Sequence, residues 1–152
     1  MNHPSGTIIY FTPFYYPDGQ KAAEPKYFLV LRQLEAELTV ASLPSSQPHF
    51  PAKLQPKHGC NRFSGNAGVY KFGSKRIITV DGWGFPLDTF VYPWGVKSYD
   101  RAMLKDVYRK EGKDYQVMGR LVEGEFIALI TCLNSSSDLP RKMGRLINDV
   151  EY

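Results

Sequence analysis

The sequence predicts a mainly β fold with C-terminal helices, a β + α class whose core is a small curled β-barrel. Aromatic residues make up 14% of the chain and favour strands over a helix bundle. Eleven prolines and thirteen glycines indicate many turns and few long helices. Short β-branched and aromatic runs between those turns predict about five to seven strands. Small twisted sheets of this kind often close into barrels, because closure hides their edges.

The predicted strands occupy the first two thirds of the chain. The apolar run "KYFLVLR" predicts a buried strand. Pro13 places the end of the first strand at a sheet edge or a bulge. Residues 47–68 are rich in proline and glycine and are predicted to be a loop. The strands are predicted at residues 7–14, 26–32, 39–43, 69–72, 76–80 and 89–92.

Two helices are predicted beyond residue 100. Asp100 is a favourable N-cap for "RAMLKDVYRKEG", and Gly112 supplies the stop of that helix. The segment "VEGEFIALITCLNSS" carries an apolar stripe at helical spacing, and glutamates in its first turn suit the helix dipole. The stripe consists of Phe126, Ile127, Ile130 and Leu133.

A length of 152 residues suits a single domain. We expect residues 1–152 to form one domain with three parts. A barrel core covers residues 6–100, a helical part covers residues 100–137, and a polar, loosely packed tail covers residues 138–152.

The net charge and the cysteine content limit the classes of function that the chain can have. The net charge of +4 permits contact with nucleic acid or another polyanion, although many unrelated proteins share it. No CxxC pair is present, so we expect no zinc site and no other metal or cofactor. The opening residues lack the features of a signal peptide, and no stretch is long and apolar enough to span a membrane. We therefore expect a cytoplasmic protein without membrane contact, with reduced thiols and with Cys132 as a small core residue.

Residues 57–61, "KHGCN", are the most catalytic-looking segment of the chain. His58 and Cys60 are two positions apart, so a strand would place both on one side. A Cys–His nucleophile pair also needs the sulfur within hydrogen-bond reach of the imidazole, which sequence neighbours rarely achieve. A structured loop with a buried thiol is the favoured interpretation, and hydrolase or redox chemistry at Cys60 is the alternative.

Aromatic and acidic residues cluster between positions 81 and 94. Trp83, Tyr92 and Trp94 fit base stacking and a barrel core equally well. Asp81 and Asp88 suit acid–base work, but Asp-Gly is also a plain turn signal and is favoured as such. No phosphate-binding loop, dinucleotide motif or zinc-protease motif is present. Spacing alone predicts a basic, aromatic-rich, mostly β domain and no particular reaction.

Lys26, Ser45 and Ser46 stand next to predicted strand ends. A lysine there can balance the charge of a phosphate, and hydroxyls can bind one. Lysine also blocks pairing at sheet edges, and serine favours turns and local backbone hydrogen bonds. From position alone, the structural roles are favoured.

An ordered set of motifs resembles the MazF/PemK-type cell-growth-inhibitor toxins, as a divergent member would. "GTIIYF" at residues 6–11 corresponds to an opening strand with "GDI", and "EPKYFLVLR" at 24–32 to a "(K/R)RPALVLS"-like strand. "LPSSQ" at residues 43–47 corresponds to "PITSQ". "VKSYD" stands where the family often has "IRTID", and "GRLVEGEFIALITCLNSS" is placed like its last helix. The resemblance implies an SH3-like barrel that dimerises and uses no metal or cofactor.

The resemblance assigns roles residue by residue. Lys26 matches the arginine of the "RP" motif and keeps its charge, and Ser45 matches the threonine of "ITS" and keeps its hydroxyl. Both are assigned as catalytic. Ser46 and Gln47 match the family residues that follow this threonine. The predicted substrate-binding residues are Ser46, Gln47, Tyr92, Trp94 and Lys97.

Two functions follow from the resemblance. The first is a metal-independent endoribonuclease acting on single-stranded RNA, whose 2′-hydroxyl attacks the phosphorus while the protein supplies a base, an acid and charge stabilisation. The alternative is a non-catalytic protein- or RNA-binding module on the same fold, because Tyr92 and Trp94 stand where some members have an Arg-x-Asp pair. The implied partners are single-stranded RNA, an antitoxin-like protein and a second copy of the chain.

Overall fold

The fold is known from a computed structural model, which describes residues 2–15, 18–21, 25–43, 55–63 and 67–152. The described helices are α1 (Arg101–Val107), α2 (Glu123–Asn134) and α3 (Arg141–Ile147), with a 3-10 turn at Pro93–Gly95. The described strands are β1 (Thr7–Phe11), β2 (Lys26–Gln33), β3 (Glu37–Leu43), β4 (Gly59–Phe63), β5 (Ala67–Phe72), β6 (Thr89–Val91), β7 (Val96–Asp100) and β8 (Gln116–Arg120).

The strands form two antiparallel sheets. The central sheet has five strands in the order β7-β3-β2-β1-β8, and the small sheet has three in the order β4-β5-β6. The prediction of a mainly β fold with C-terminal helices is confirmed. Among the strands that the structure describes, none closes either sheet into a barrel.

The central sheet is buried on both faces. Successive side chains of β2 point to opposite faces of the sheet. Leu29 and Leu31 belong to one cluster of buried side chains, and Phe28 and Val30 belong to another. All four are no more than 2% exposed, which explains why "KYFLVLR" lacks alternating polar residues.

The first cluster, called here the inner core, fills the space between the central sheet, the small sheet and α2. Helix α2 contributes Phe126, Leu129, Ile130 and Leu133, which recur at helical spacing. The predicted stripe is therefore correct at three positions and wrong at Ile127, which is 52% exposed. Leu129, fully buried, occupies the place in the stripe that Ile127 was expected to take.

The second cluster, called here the aromatic core, covers the opposite face. It is built from rings of β1, β2 and the chain that follows α1, with centroids of Phe11 lying 4.5 Å from Tyr108 and 5.2 Å from Phe28. Phe14 and Tyr108 stack at 6.0 Å with an angle of 8° between their planes. Much of the high aromatic content thus serves packing between rings.

Helix α1 begins as predicted but ends early. The Asp100 carboxylate accepts hydrogen bonds from the backbone N–H groups of Ala102 at 2.8 Å and Met103 at 3.3 Å. The helix ends at Val107, and Gly112 lies in a later turn with a φ of +89°.

Replacing Asp100 with alanine is expected to lower the free energy of unfolding by about 1 kcal/mol, because two N–H groups of the first turn lose their acceptor. Asp100→Asn is the matched control, since an amide oxygen accepts the same bonds. Urea unfolding of both variants checks this, and equal losses in the two would contradict a capping role.

Two segments differ from their predicted secondary structure. The predicted strand at residues 76–80 is wrong, because Thr79 makes only an isolated bridge with Leu121. This segment turns back sharply: a Cβ on Gly84 would lie 2.0 Å from the carbonyl oxygen of Arg76. The predicted loop at 47–68 contains strand β4 in its described part.

The C-terminal tail is better anchored than predicted. It contains α3, whose Ile147 is fully buried in the inner core. The Tyr152 hydroxyl donates to the carbonyl of Leu121 at 2.7 Å, and Arg32 donates to the carbonyl of Leu146 at 2.9 Å. The expectation of loose packing for residues 138–152 is therefore wrong at these contacts.

No helix in the described part of the chain is long and apolar enough to cross a membrane.

Candidate functional site

Three rings form a stack between the small sheet and β7, called here the aromatic stack. Phe90 and Tyr92 lie 6.1 Å apart between centroids with planes 20° apart, and Tyr92 and Trp94 lie 4.8 Å apart with planes 17° apart. Positions 90 and 92 are on the same side of an extended chain. The 3-10 turn then carries Trp94 over Tyr92, so the three rings lie in one row.

Exposure differs sharply along the aromatic stack. Phe90 is 5% exposed and Tyr92 is 2% exposed, whereas Trp94 is 47% exposed. A buried ring therefore supports one face of Trp94, and nearly half of Trp94 contacts solvent. This arrangement fixes an exposed indole in one orientation, as a platform for stacking a base requires.

Two lysines lie near the aromatic stack, one in space and one along the chain. The Lys71 ammonium lies 6.0 Å from the centroid of Phe90 and 3.4 Å from a carboxylate oxygen of Asp88. Lys97 lies on β7, three residues after Trp94, and is exposed. The Lys71 side chain is only 15% exposed and its charge is paired with Asp88, so the exposed Lys97 is the better suited of the two to contact a phosphate.

The predicted catalytic Lys26 lies at the same end of the central sheet as Trp94. Lys26 begins β2, and Tyr27 pairs with Leu43, the last described residue of β3. Val96, the first residue of β7, pairs with Ala41 on the other side of β3. The start of β2, the end of β3 and the start of β7 are therefore neighbours, with β2 and β7 about 10 Å apart across β3.

The turn that carries Trp94 is held tightly at this end. A Cβ on Gly95 would lie 2.9 Å from the carbonyl oxygen of Ser42, so only glycine fits without displacing the backbone.

Lys26 itself is half-buried, and no described residue forms an ion pair with its ammonium. Its charge is thus available to a ligand at this end.

Three of the other predicted site residues follow β3 in the sequence. Ser45, Ser46 and Gln47 lie outside the described residues, so their assignments stay predictions. Ser45 follows Leu43 by two positions in the sequence. Trp83 was also a candidate for base stacking, but its ring packs on Phe85 of the inner core, with 4.9 Å between the two centroids.

Three polar side chains, those of His58, Tyr70 and Glu125, form a cluster that no local sequence pattern indicated. The Glu125 carboxylate oxygen Oε1 lies 2.5 Å from Nε2 of His58 and 2.7 Å from the hydroxyl of Tyr70. The backbone N–H of Gly73 donates to Nδ1 of His58 at 3.1 Å. Because Nδ1 accepts a bond, Nε2 carries the proton and donates it to Glu125.

This His58–Glu125–Tyr70 cluster has the geometry of a structural clamp. It joins β5 and the chain before β4 to the first turn of α2, and the His58 and Glu125 side chains are only 13% and 15% exposed. Both ring nitrogens of His58 are occupied by protein groups. A nucleophile or a substrate proton would have to displace one of those bonds to use His58 as a base.

Burial and the hydrogen bond to Glu125 raise the pKa of Tyr70 above its ordinary value of 10.0. Burial likewise raises the pKa of Tyr108 to about 12, against the opposing bond from the backbone N–H of Tyr15. Both hydroxyls stay protonated in the folded protein well into the alkaline range. In the unfolded chain neither burial nor these hydrogen bonds raise the pKa of the two hydroxyls.

The free energy of unfolding is expected to fall as the pH rises above 10, and the raised pKa of Tyr70 is expected to cause part of this decrease. In that range the unfolded chain has released protons that the folded protein keeps, so stability decreases as the pH rises. Tyr70 contributes a slope of about 1.4 kcal/mol per pH unit, and below pH 10 its contribution is constant. Urea unfolding of wild type and Tyr70→Phe at pH 9, 10 and 11 checks this. An unchanged slope in the variant would contradict the assignment.

Cys60 and Cys132 form a disulfide between β4 and α2, with Cα atoms 5.5 Å apart. The expectation of a reduced, unpaired Cys132 is therefore wrong, although that residue is 2% exposed as a core residue should be. A bonded sulfur cannot act as a nucleophile, so hydrolase chemistry at Cys60 has no basis in this structure. Two cysteines so far apart in sequence gave no signal that they would meet.

Asp81 and Asp88 make no contact with each other among the contacts of the described residues. One oxygen of Asp88 accepts a hydrogen bond from the backbone N–H of Ser74 at 2.8 Å, and the other faces Lys71. These bonds hold the turn after β5. In the described part of the chain, no three His, Cys, Asp or Glu residues are grouped as metal ligands would be.

A search with this chain finds no matching family model, no matching curated protein and no matching solved structure.

Proposed function

We propose that the protein binds single-stranded RNA at the Trp94 end of the central sheet and cuts it without a metal ion. In this proposal it is a divergent MazF/PemK-like toxin on an SH3-like barrel. The observation that carries the proposal is the placement of Lys26 and Trp94 at one end of the sheet. A stacking platform and a lysine that forms no ion pair with any described residue are thereby placed at one end of the sheet, where one short strand of RNA could contact both.

The chemistry assigned to this end needs no cofactor. Trp94 stacks on a base and fixes the neighbouring ribose, and Lys97 contacts a phosphate beside it. The 2′-hydroxyl releases its proton to water as its oxygen attacks the adjacent phosphorus, and the leaving 5′-oxygen takes a proton from water, which gives a 2′,3′-cyclic phosphate and a 5′-hydroxyl. Lys26 stabilises the charge that develops on the phosphate, and the Ser45 hydroxyl donates to the same group.

Incubation with single-stranded RNA in the presence of EDTA tests this function. We expect fragments with 2′,3′-cyclic phosphate ends from the wild type, and a loss of at least about tenfold in rate for Lys26→Ala, because one charge contact to the transition state is removed. Lys21→Ala is the matched control, since Lys21 is an exposed lysine on a different segment. DNA of the same sequence should bind and stay intact, because it lacks the 2′-hydroxyl.

A binding module without catalysis is the second candidate, and one observation favours it. Tyr92 and Trp94 stand where some family members have an Arg-x-Asp pair, and Tyr92 is buried within the aromatic stack. In that case RNA binds to the wild type and is recovered uncut at high protein concentration. Failure to bind RNA at all would contradict the first candidate and the RNA-binding form of the second, and only a protein-binding module on the same fold would remain.

Assembly and location complete the proposal. The resemblance implies a homodimer that meets RNA and an antitoxin-like protein in the cytoplasm. Disulfides rarely persist in that compartment. A cytoplasmic location therefore requires that the Cys60–Cys132 bond be absent or transient in the cell.

A further inference from the structure

A cleft of about 440 Å³ lies between the end of β2 and the C-terminal tail, away from the proposed RNA surface. Lys26 begins β2, whereas Arg32 of the same strand lines the cleft, and six positions of extended chain separate them by about 20 Å. Residues 149–152 of the tail line the cleft as well. Its volume lies in the range of small-molecule sites, roughly 300–1,000 Å³.

The guanidinium of Arg120 is fixed in this cleft by two contacts. Its Nε donates to the carbonyl of Ser5 at 2.9 Å, and its central carbon lies 3.8 Å from the centroid of the Tyr152 ring. The ring is fixed in turn, because the Tyr152 hydroxyl donates to the carbonyl of Leu121. In the described part of the chain, no group accepts a hydrogen bond from the two Nη groups of Arg120. An oriented guanidinium with free donors suits a planar carboxylate.

Among the described residues that line the cleft, four side chains are charged, two of each sign. Arg32 pairs with Asp149 at 3.3 Å and donates to the carbonyl of Leu146 at 2.9 Å. Arg120 and the exposed Glu151 remain, and neither forms an ion pair with any described residue. One unpaired charge of each sign in a single cleft matches a ligand that carries both charges. A purely anionic ligand would meet the carboxylate of Glu151, and a purely cationic one would meet the guanidinium of Arg120.

We propose that this cleft binds a small zwitterion of the amino-acid class, a free amino acid or a dipeptide with an aliphatic side chain. The Nη groups of Arg120 donate to its carboxylate, and the carboxylate of Glu151 accepts from its ammonium. Pro4 and Val150 supply apolar surface beside these charges, and Val150 is held in position by packing on the inner core. The aliphatic side chain of the ligand packs on these two residues.

Isothermal titration calorimetry with leucine and two blocked forms of leucine tests the proposal. N-acetyl-leucine has no ammonium, and leucine methyl ester has no carboxylate. We expect the wild type to bind leucine at least about tenfold more tightly than either blocked form, because each lacks one set of charge-assisted hydrogen bonds. The dipeptide leucyl-leucine and the other common amino acids are titrated in the same way.

Two variants assign the charges of the ligand to their partners. Arg120→Gln should bind leucine and its methyl ester with similar affinity, because the partner of the carboxylate is gone. Glu151→Gln should bind leucine and N-acetyl-leucine with similar affinity, because the partner of the ammonium is gone. Arg145→Gln is the matched control, since Arg145 is an exposed arginine of the tail that does not line the cleft. If Arg120→Gln loses its fold with the bond to Ser5, the exposed Glu151 still provides the test.

Three outcomes would overturn the proposal. The first is that the wild type binds neither leucine, nor leucyl-leucine, nor any other common amino acid. The second is that N-acetyl-leucine or inorganic phosphate binds as tightly as leucine, which would make the cleft a simple anion site. The third is that Glu151→Gln keeps the full preference for leucine over N-acetyl-leucine.

The cleft and the proposed RNA surface are tested separately. Because they lie at opposite ends of β2, saturating leucine should leave the affinity for single-stranded RNA unchanged, and Glu151→Gln should bind RNA as the wild type does. RNA binding can therefore fail while leucine binding succeeds, and the reverse. Displacement of leucine by single-stranded RNA would show that the cleft belongs to an RNA surface and would overturn its assignment to a zwitterion.

Discussion

Reduction of the Cys60–Cys132 disulfide is expected to lower the free energy of unfolding by about 4 kcal/mol. The bond links residues 72 positions apart, so it closes a long loop that contains β5, β6, β7, α1 and β8. Opening that loop releases conformational freedom in the unfolded chain, and the folded state becomes less favourable by comparison. This is a large share of the total stability of a domain of this size.

Urea unfolding with and without reductant measures this effect on the purified, oxidised protein. The double variant Cys60→Ala, Cys132→Ala should unfold at low urea in both conditions, because it has no bond to reduce. A reductant effect in that variant would show that another process is involved. No shift in the wild type, with both thiols shown to be free after reduction, would contradict the predicted contribution.

The disulfide lies among other contacts between the small sheet and α2, and its loss should weaken those contacts as well. A Cβ on Gly68 would lie 2.8 Å from the carbonyl oxygen of Cys132, so β5 is in close contact with α2. Arg62 also donates to the Ser135 hydroxyl at 2.6 Å, which adds a second link between β4 and α2. The disulfide and the His58–Glu125–Tyr70 cluster thus secure the same small sheet to the same helix.

Replacing Trp94 with alanine is expected to weaken single-stranded RNA binding by about tenfold to a hundredfold. Stacking of one base on an aromatic ring contributes about 1–3 kcal/mol, and Trp94 is the exposed ring of the aromatic stack. Trp94→Phe should retain part of the affinity, because a phenyl ring still offers a face for stacking. Anisotropy titrations at one fixed salt concentration check this, since phosphate contacts depend strongly on salt.

Ile77→Ala is the matched control for the Trp94 variants. Ile77 is 62% exposed and lies outside the aromatic stack, so its loss removes exposed apolar surface without removing a stacking platform. An equal loss of affinity in Ile77→Ala and Trp94→Ala would contradict a specific role for the indole. Far-ultraviolet circular dichroism of each variant separates loss of binding from loss of fold.

The sequence was most informative where one element alone determines the pattern. The apolar run of β2 and the helical spacing of Phe126, Ile130 and Leu133 follow from burial of a single strand or helix, and both elements were predicted. The Asp100 cap depends only on the next three residues and was also correct.

The features that escaped prediction depend on distant parts of the chain. Strand β4 lies in a segment rich in proline and glycine, and it exists because β5 pairs along it. The contact of His58 with Glu125 spans 67 positions, and no local pattern specifies it. Ile127 was misplaced because only the packing of α2 on the inner core decides which side of the helix is buried.

For the candidate site, the sequence identified the residues but could not decide between their roles. "FVYPW" offered Tyr92 and Trp94 as stacking residues or as core residues with equal weight. Their exposure separates them, since Tyr92 is buried support and Trp94 is the exposed surface. That distinction arises from the 3-10 turn at Pro93–Gly95, whose position against Ser42 depends on the pairing of β3 with β7.

The fluorescence of Trp94 during RNA titration shows whether bases stack on its indole. The chain has two tryptophans, so Trp83→Phe leaves Trp94 as the sole indole that reports. Single-stranded RNA is predicted to quench this emission with the same midpoint that anisotropy gives for binding. The variant Trp94→Phe retains only Trp83, which packs against the inner core away from the aromatic stack, and should show no quenching. If RNA binds by anisotropy and the emission of Trp94 does not change, bases do not stack on Trp94, and the proposed RNA surface is wrong.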